Sequence, residues 1–112
     1  MAEGRTHLSL ERQGRHRDQV LQTSLGLTPL LTDTALTDIS DCAGTYVCNH
    51  LYYQVLDTIE RHRWPMQALF VHIPPLTVAT EPFFVQDFSL ILQRLAGNNE
   101  SFWRKAPLKK PL

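Results

Sequence analysis

The chain has 112 residues, Lys and Arg together numbering 11 against 11 for Asp and Glu, with 43% hydrophobic and 20% charged residues. This is the size and composition of one small soluble globular domain, which excludes a two-domain protein and leaves room for only a modest core. With no net positive charge, the bulk attraction behind non-specific nucleic-acid binding is missing, so nucleic acid is not an expected partner.

Residues 6–10 (THLSL) alternate apolar and polar, which predicts a short strand followed by Glu11. Residues 11–19 (ERQGRHRDQ) are polar and basic and read as a solvated loop. Gly26 and Pro29 interrupt any helix over 20–29. A second extended run over 35–39 ends in a cluster containing Ser40, Asp41 and Gly44. From Gly44 the period becomes helical: Val47, Leu51, Val55 and Ile59 are spaced to line one buried face of a helix reaching about Arg63, with Ser40 and Asp41 as caps and Pro65 as the stop. Residues 67–73 (QALFVHI), closed by Pro74 and Pro75, predict a strand covered on both faces. A last helix is expected with Thr80 as its cap, Pro82 in its first turn, Phe84, Phe88, Ile91, Leu92 and Leu95 as its buried stripe, and Gly97 at its end. The order strand, strand, helix, strand, helix points to an α/β layer with a parallel sheet. A right-handed parallel crossover would bring the C-terminal ends of the second and third strands to one edge, where function collects in such folds.

The apolar runs are far shorter than the ~20 residues of a bilayer span. Residues 1–17 have no apolar core or small-residue cleavage site of a secretory leader. No membrane association is expected, and the cytoplasm is the expected compartment, where Cys42 and Cys48 stay reduced.

Cys48 falls in the first turns of the predicted helix, where unpaired N–H groups and the helix dipole favour a thiolate. His72 falls near the end of the following strand, so the expected topology brings a thiol and an imidazole to one edge, and Glu11 could orient the imidazole as a third member. The plainer reading of each is structural: a packed thiol, a satisfied core histidine and a solvated acid. Cys42, Cys48, His50 and His72 could also be assembled into a zinc site, but they contain no Cys-x-x-Cys pair, and no metal is expected. Tyr52, Tyr53, Phe83 and Phe84 read as packing residues rather than a base-stacking platform.

Residues 40–53 (SDCAGTYVCNHLYY) resemble the nucleophile motif of the pyroglutamyl-peptidase I family: Ser, two variable residues, Ala-Gly, an aromatic and an aliphatic residue before the catalytic Cys, then Asn or Asp. Residues 70–74 (FVHIP) resemble the family's second motif, an apolar strand carrying the catalytic His before Ile/Val-Pro, and residues 8–12 (LSLER) are similar to the segment carrying its catalytic acid. The resemblance implies Cys48 as nucleophile, His72 as its base, Glu11 as the third catalytic residue, and Tyr46 and Val47 as the wall of the pyroglutamate pocket. It covers the chain from about Ile39 to Pro75 and thinly elsewhere. Family members are longer and begin with a strand and a Gly-Phe-x-Pro-Phe-Gly-type loop that nothing here matches. Losing a central strand would leave a sheet edge and an apolar face open to self-association.

The implied fold is an α/β/α sandwich with a mostly parallel sheet, truncated at the N-terminal side, with a partial catalytic domain over 1–104 and a flexible tail over 105–112. The implied function is a cysteine omega-peptidase that removes pyroglutamate from the N-terminus of peptides without a cofactor. The alternative is a shortened, inactive relative acting through protein–protein contact.

Overall fold

In a computed structural model the described residues are 5–98. The segments before and after them, including the tail expected over 105–112, lie outside the described residues.

The fold is built around one short strand. In β1 (Leu8–Glu11) every residue is buried, and alternation sends Leu8 and Leu10 to one face and Ser9 and Glu11 to the other. β4 (Thr37–Ser40) pairs with β1 in parallel, Glu11 opposite Ser40, and β5 (Phe70–His72) pairs with it antiparallel on the other side, Glu11 opposite Phe70. β1 is therefore the central strand of a three-stranded mixed sheet in the order β4-β1-β5.

The Leu8–Leu10 face carries the core. Leu27 and Leu30, from a 3-10 turn and the residue before it (Thr28–Leu31), and Phe84 and Ile91 from α2 (Glu81–Asn98) close over it. Burial of such side chains contributes roughly 1.5–3 kcal/mol each. Thr80 begins α2 through its carbonyl, which accepts from Phe83 and Phe84 N–H, while its hydroxyl turns back to Thr77. Buried Asp87 ties α2 to the start of β4 by accepting from the N–H of Ala35 and Leu36 and from the Thr37 hydroxyl.

Residues read as a solvated loop form a hairpin instead, β2 (Gln13–His16) and β3 (Gln19–Gln22), turned at Arg17 with φ 56 and Asp18. The hairpin buries almost no side chain of its own and meets its neighbour through backbone, so no apolar alternation marks it. That neighbour is α1 (Val47–His62), which packs against β2 and β3. Gly14 permits the contact: a Cβ there would lie 2.7 Å from the Tyr53 nitrogen and 3.0 Å from its Cα. Gly14→Ala is expected to cost about 1–3 kcal/mol, read as a lower urea midpoint at unchanged slope. An unaltered midpoint would mean the hairpin does not rest on α1 this closely.

α1 ends as its sequence predicts, before Pro65. Arg63 adopts the left-handed conformation, φ 54, and the N–H groups of Arg63 and Trp64 return to the carbonyls of Glu60 and Ile59. Its buried side is different from the expected one. Tyr52, Tyr53 and Leu56 face inward, whereas Val47, Leu51 and Val55 are exposed and Ile59 is half-buried. The helix lies on a polar hairpin, with Tyr53 against His16 of β2 and Tyr52 reaching Phe70 and Glu11 of the three-stranded sheet, and the aliphatic stripe is left uncovered.

The same packing overturns the expected parallel crossover. A helix of 16 residues is roughly 24 Å long, and here it lies against the hairpin rather than back across the three-stranded sheet. The chain re-enters at the edge where β4 ended, so β5 runs antiparallel to β1, and the C-terminal ends of β4 and β5 lie at opposite edges. β5 is also a half-buried edge strand rather than one covered on both faces, and it is shorter than the apolar run that contains it. The architecture is α/β with a small mixed sheet, not the mostly parallel one expected.

Candidate active site

Glu11 ends the central strand on the face opposite the core and is completely buried. Phe70 of β5 stands directly across from it and His72 stands across from Ser9. Side chains of opposed residues share a face, and diagonal neighbours on that face are within reach of long side chains. The imidazole leans back along the sheet until Nδ1 is 2.6 Å from Glu11 Oε2. A carboxylate can only accept, so this contact puts a ring proton on Nδ1, and in the neutral ring it is Nε2 that keeps the lone pair. Antiparallel pairing thus brings His72 to Glu11, whereas the expected parallel crossover would have brought it to the edge of Cys48.

The pair is enclosed on the same face. The Phe70 ring lies 5.0 Å from that of His72 and 5.7 Å from that of Tyr52, and the Tyr52 hydroxyl donates to the Glu11 carbonyl at 2.8 Å. Burial pushes the Tyr52 phenol above its ordinary value of 10.0; the Glu11 charge adds to the rise, and hydrogen bonds involving Phe70 and Thr23 oppose it. Because the folded value exceeds the unfolded one, this contribution to stability is fully present below pH 10.0 and is lost as pH climbs through the raised folded value. Tyr52→Phe is therefore expected to flatten the alkaline fall in stability, measured by urea unfolding at stepped pH. Parallel alkaline curves for both chains would contradict it.

Cys48 is half-buried in the first turn of α1. Tyr46 is the residue before the helix, and no side chain caps it. The first helical bond runs from His50 N–H to the Tyr46 carbonyl, so the N–H groups of Val47, Cys48 and Asn49 precede the intrahelical ladder. Ser40 and Asp41 do not cap α1 as expected. The Ser40 hydroxyl bonds within the loop to Cys42, and Asp41 pairs with Arg12. The loop from β4 to α1 is instead held from outside: Arg5 donates to the Cys42 carbonyl at 3.0 Å and Gln13 to that of Asp41 at 3.1 Å. The Asn49 amide then clamps the first turn to β2 by pairing with both the N–H and the carbonyl of Arg15, each at 2.8 Å.

Glu11 and His72 are therefore brought into contact, while no hydrogen bond joins the Cys48 thiol to His72 among the described residues. Tyr46 and Val47, expected in a pocket wall, are 84% and 77% exposed. A groove of about 780 Å³ lies elsewhere, between β3 and the second half of α1, with Leu56, Ile59, Glu60 and Trp64 among its lining residues. Glu11, Cys48 and His72 do not border it. Among the described residues no group of three or more His, Cys, Asp or Glu could hold a metal ion, so Cys42, Cys48, His50 and His72 do not form the zinc site considered above. No helix there is long and apolar enough to cross a membrane.

Sequence reasoning missed Arg5, whose Nη1 lies 3.1 Å from Glu11 Oε2, the oxygen that also meets His72. In an extended strand residues six apart would be separated by roughly 20 Å. The chain bends at His7 and folds Arg5 back, a step that no periodicity announces.

A carboxylate-held imidazole is equipped to act as a general base, and a thiol at the start of a helix is a nucleophile that such a base can serve. Of these groups the α/β scaffold brings Glu11 and His72 into contact. The chain belongs to the pyroglutamyl peptidase family, whose sequence model matches residues 29–85, about half of it. It is 48% identical over 46 residues to pyrrolidone-carboxylate peptidase 2 of Caldanaerobacter subterraneus, covering 39% of this chain and 22% of the relative. It is 54% identical over 39 residues to the pyrrolidone-carboxylate peptidase of Mycobacterium marinum, covering 35% and 18%, and 47% identical over 36 residues to that of Bacillus cereus, covering 32% and 17%. The chain thus spans about a fifth of the length of these relatives. The family match contains Cys48 and His72; Glu11 lies outside it and reaches His72 through the sheet.

Proposed function

We propose that the chain carries the catalytic group set of a cysteine omega-peptidase that releases pyroglutamate from the N-terminus of peptides. The observation that carries this reading is the buried contact between Glu11 and His72 at 2.6 Å, in a chain of the pyroglutamyl peptidase family. His72 Nε2 takes the proton of the Cys48 thiol, and the sulfur attacks the pyroglutamyl carbonyl to form a tetrahedral adduct. N–H groups at the uncapped start of α1 stabilise its oxyanion. The imidazolium, held by Glu11, returns its proton to the leaving amine as the C–N bond breaks, leaving an acyl thioester on Cys48. Water, deprotonated by His72, then releases pyroglutamate and restores the thiol. Tyr46 and Val47, free on the surface beside Cys48, present an aromatic face and an aliphatic group to the flat lactam.

No metal or organic cofactor enters this chemistry. It needs a reduced thiol, which suits the cytoplasm as its compartment in this reading. The scaffold in this reading is part of an α/β/α sandwich, of which the described residues form a three-stranded sheet, a hairpin and two α-helices.

The test is hydrolysis of a fluorogenic pyroglutamyl amide by the reduced chain beside Cys48→Ala, with circular dichroism on both samples. Turnover that disappears in Cys48→Ala is expected. A folded, reduced chain without turnover would overturn the reading.

One observation favours a second reading. Val47, Leu51 and Val55 form an exposed aliphatic stripe on the helix that carries Cys48, which suits a non-catalytic relative acting through protein–protein contact. A monomeric chain that cleaves the substrate would remove it.

A further inference from the structure

We propose that Arg5 is a positioning residue for the Glu11–His72 pair, supplying the fixed countercharge of the buried carboxylate and coupling it to the loop that leads into Cys48. The inference rests on the peptidase reading of Glu11, His72 and Cys48, and adds to it a residue outside the matched motifs.

A carboxylate removed from water has to be paired or neutralised. Glu11 is fully buried, and both of its charged or polar side-chain contacts fall on Oε2: Arg5 Nη1 at 3.1 Å and His72 Nδ1 at 2.6 Å. Oε1 is buried without a hydrogen-bond partner. With Arg5 present, one carboxylate and one guanidinium balance, and the imidazole need not carry the countercharge. With Arg5 absent, the partner left among the described residues to balance Glu11 is His72, and an imidazole that already holds a second proton cannot accept one from a thiol.

The second arm of the guanidinium gives the role its geometry. Arg5 Nη2 donates to the Cys42 carbonyl at 3.0 Å while Nη1 holds Glu11, so one planar group spans the end of β1 and the loop between β4 and α1. Lysine, with a single ammonium centre, cannot reproduce a fork that holds two acceptors apart.

The experiment compares the wild-type chain with Arg5→Met and Arg5→Lys, using the His72 Nδ1 proton resonance together with kcat and KM on the pyroglutamyl amide. In Arg5→Met the resonance is expected to shift or vanish and kcat to fall by at least about tenfold at nearly unchanged KM, with Arg5→Lys between it and wild type. A folded Arg5→Met chain with the wild-type resonance overturns the proposal. Should Arg5→Met not fold, Arg5→Lys decides: a displaced resonance upholds the role and an unmoved one overturns it. The resonance is read without substrate, so a chain with no turnover defeats the peptidase reading while Arg5 is still judged by its effect on His72.

Discussion

Replacing His72 by alanine is expected to lower turnover of a pyroglutamyl amide by about 10²–10⁴-fold, the usual worth of a positioned general base. The side chain does three things that alanine cannot. Its Nδ1 meets Glu11 at 2.6 Å, its ring packs against Phe70, and its Nε2 is the ring nitrogen left to receive a proton while Nδ1 is engaged. His72, its side chain 11% exposed, sits on a three-residue edge strand outside the apolar core that holds Leu10 and Ile91, so the chain should fold without it. Glu11 is then left buried with Arg5, which still balances its charge. The measurement is kcat beside circular dichroism, repeated with added imidazole, which can occupy the vacated space and restore part of the rate. Wild-type turnover in His72→Ala, with Cys48→Ala inactive, would remove His72 from the mechanism and leave the thiol to another base.

Much of the frame was legible because burial and periodicity coincide in it. β1, β4 and α1 fall within a few residues of their predicted positions, since alternation and the helical repeat are read directly from side chains. Three features were not legible, each for a physical reason. The β2–β3 hairpin docks through Gly14 and backbone, leaving polar side chains on display. The direction of β5 depends on where α1 rests, and nothing in residues 67–73 encodes the hairpin that receives that helix. The orientation of α1 follows its polar support: Tyr52 buries its ring while its hydroxyl finds the Glu11 carbonyl, a combination that a count of aliphatic residues overlooks. As for the candidate site, Cys48 and His72 stand out by motif. Glu11 could be suspected from its place at a strand end, whereas Arg5 is joined to the site only by a bend.

The second large effect is expected at a residue with no part in the chemistry. Asp87→Ala should destabilise the fold by about 3–5 kcal/mol, because it leaves buried partners without the group they were arranged around. Against a total of about 5–15 kcal/mol for a small domain, that is enough to unfold much of the population. Asp87 is 1% exposed; Oδ1 accepts from Ala35 N–H at 2.8 Å, and Oδ2 accepts from Leu36 N–H and the Thr37 hydroxyl, both at 2.7 Å. Asp87→Asn should be nearly as damaging, since an amide offers one accepting oxygen where these donors occupy two and turns its own N–H groups toward donors. This contact also explains why α2 departs from the stripe its apolar residues suggest. Turning the helix so that Phe84, Asp87 and Ile91 face the sheet carries Phe88 and Leu92 toward solvent, and the lost burial is offset by the hydrogen bonds that start β4. Leu92→Ser, on the exposed side, should then cost no more than about 0.5 kcal/mol. Urea unfolding of the three variants decides the matter: equal midpoints for Asp87→Ala and Leu92→Ser would mean that apolar contact alone holds α2, and that the register of β4, and with it the loop to Cys48, is set elsewhere.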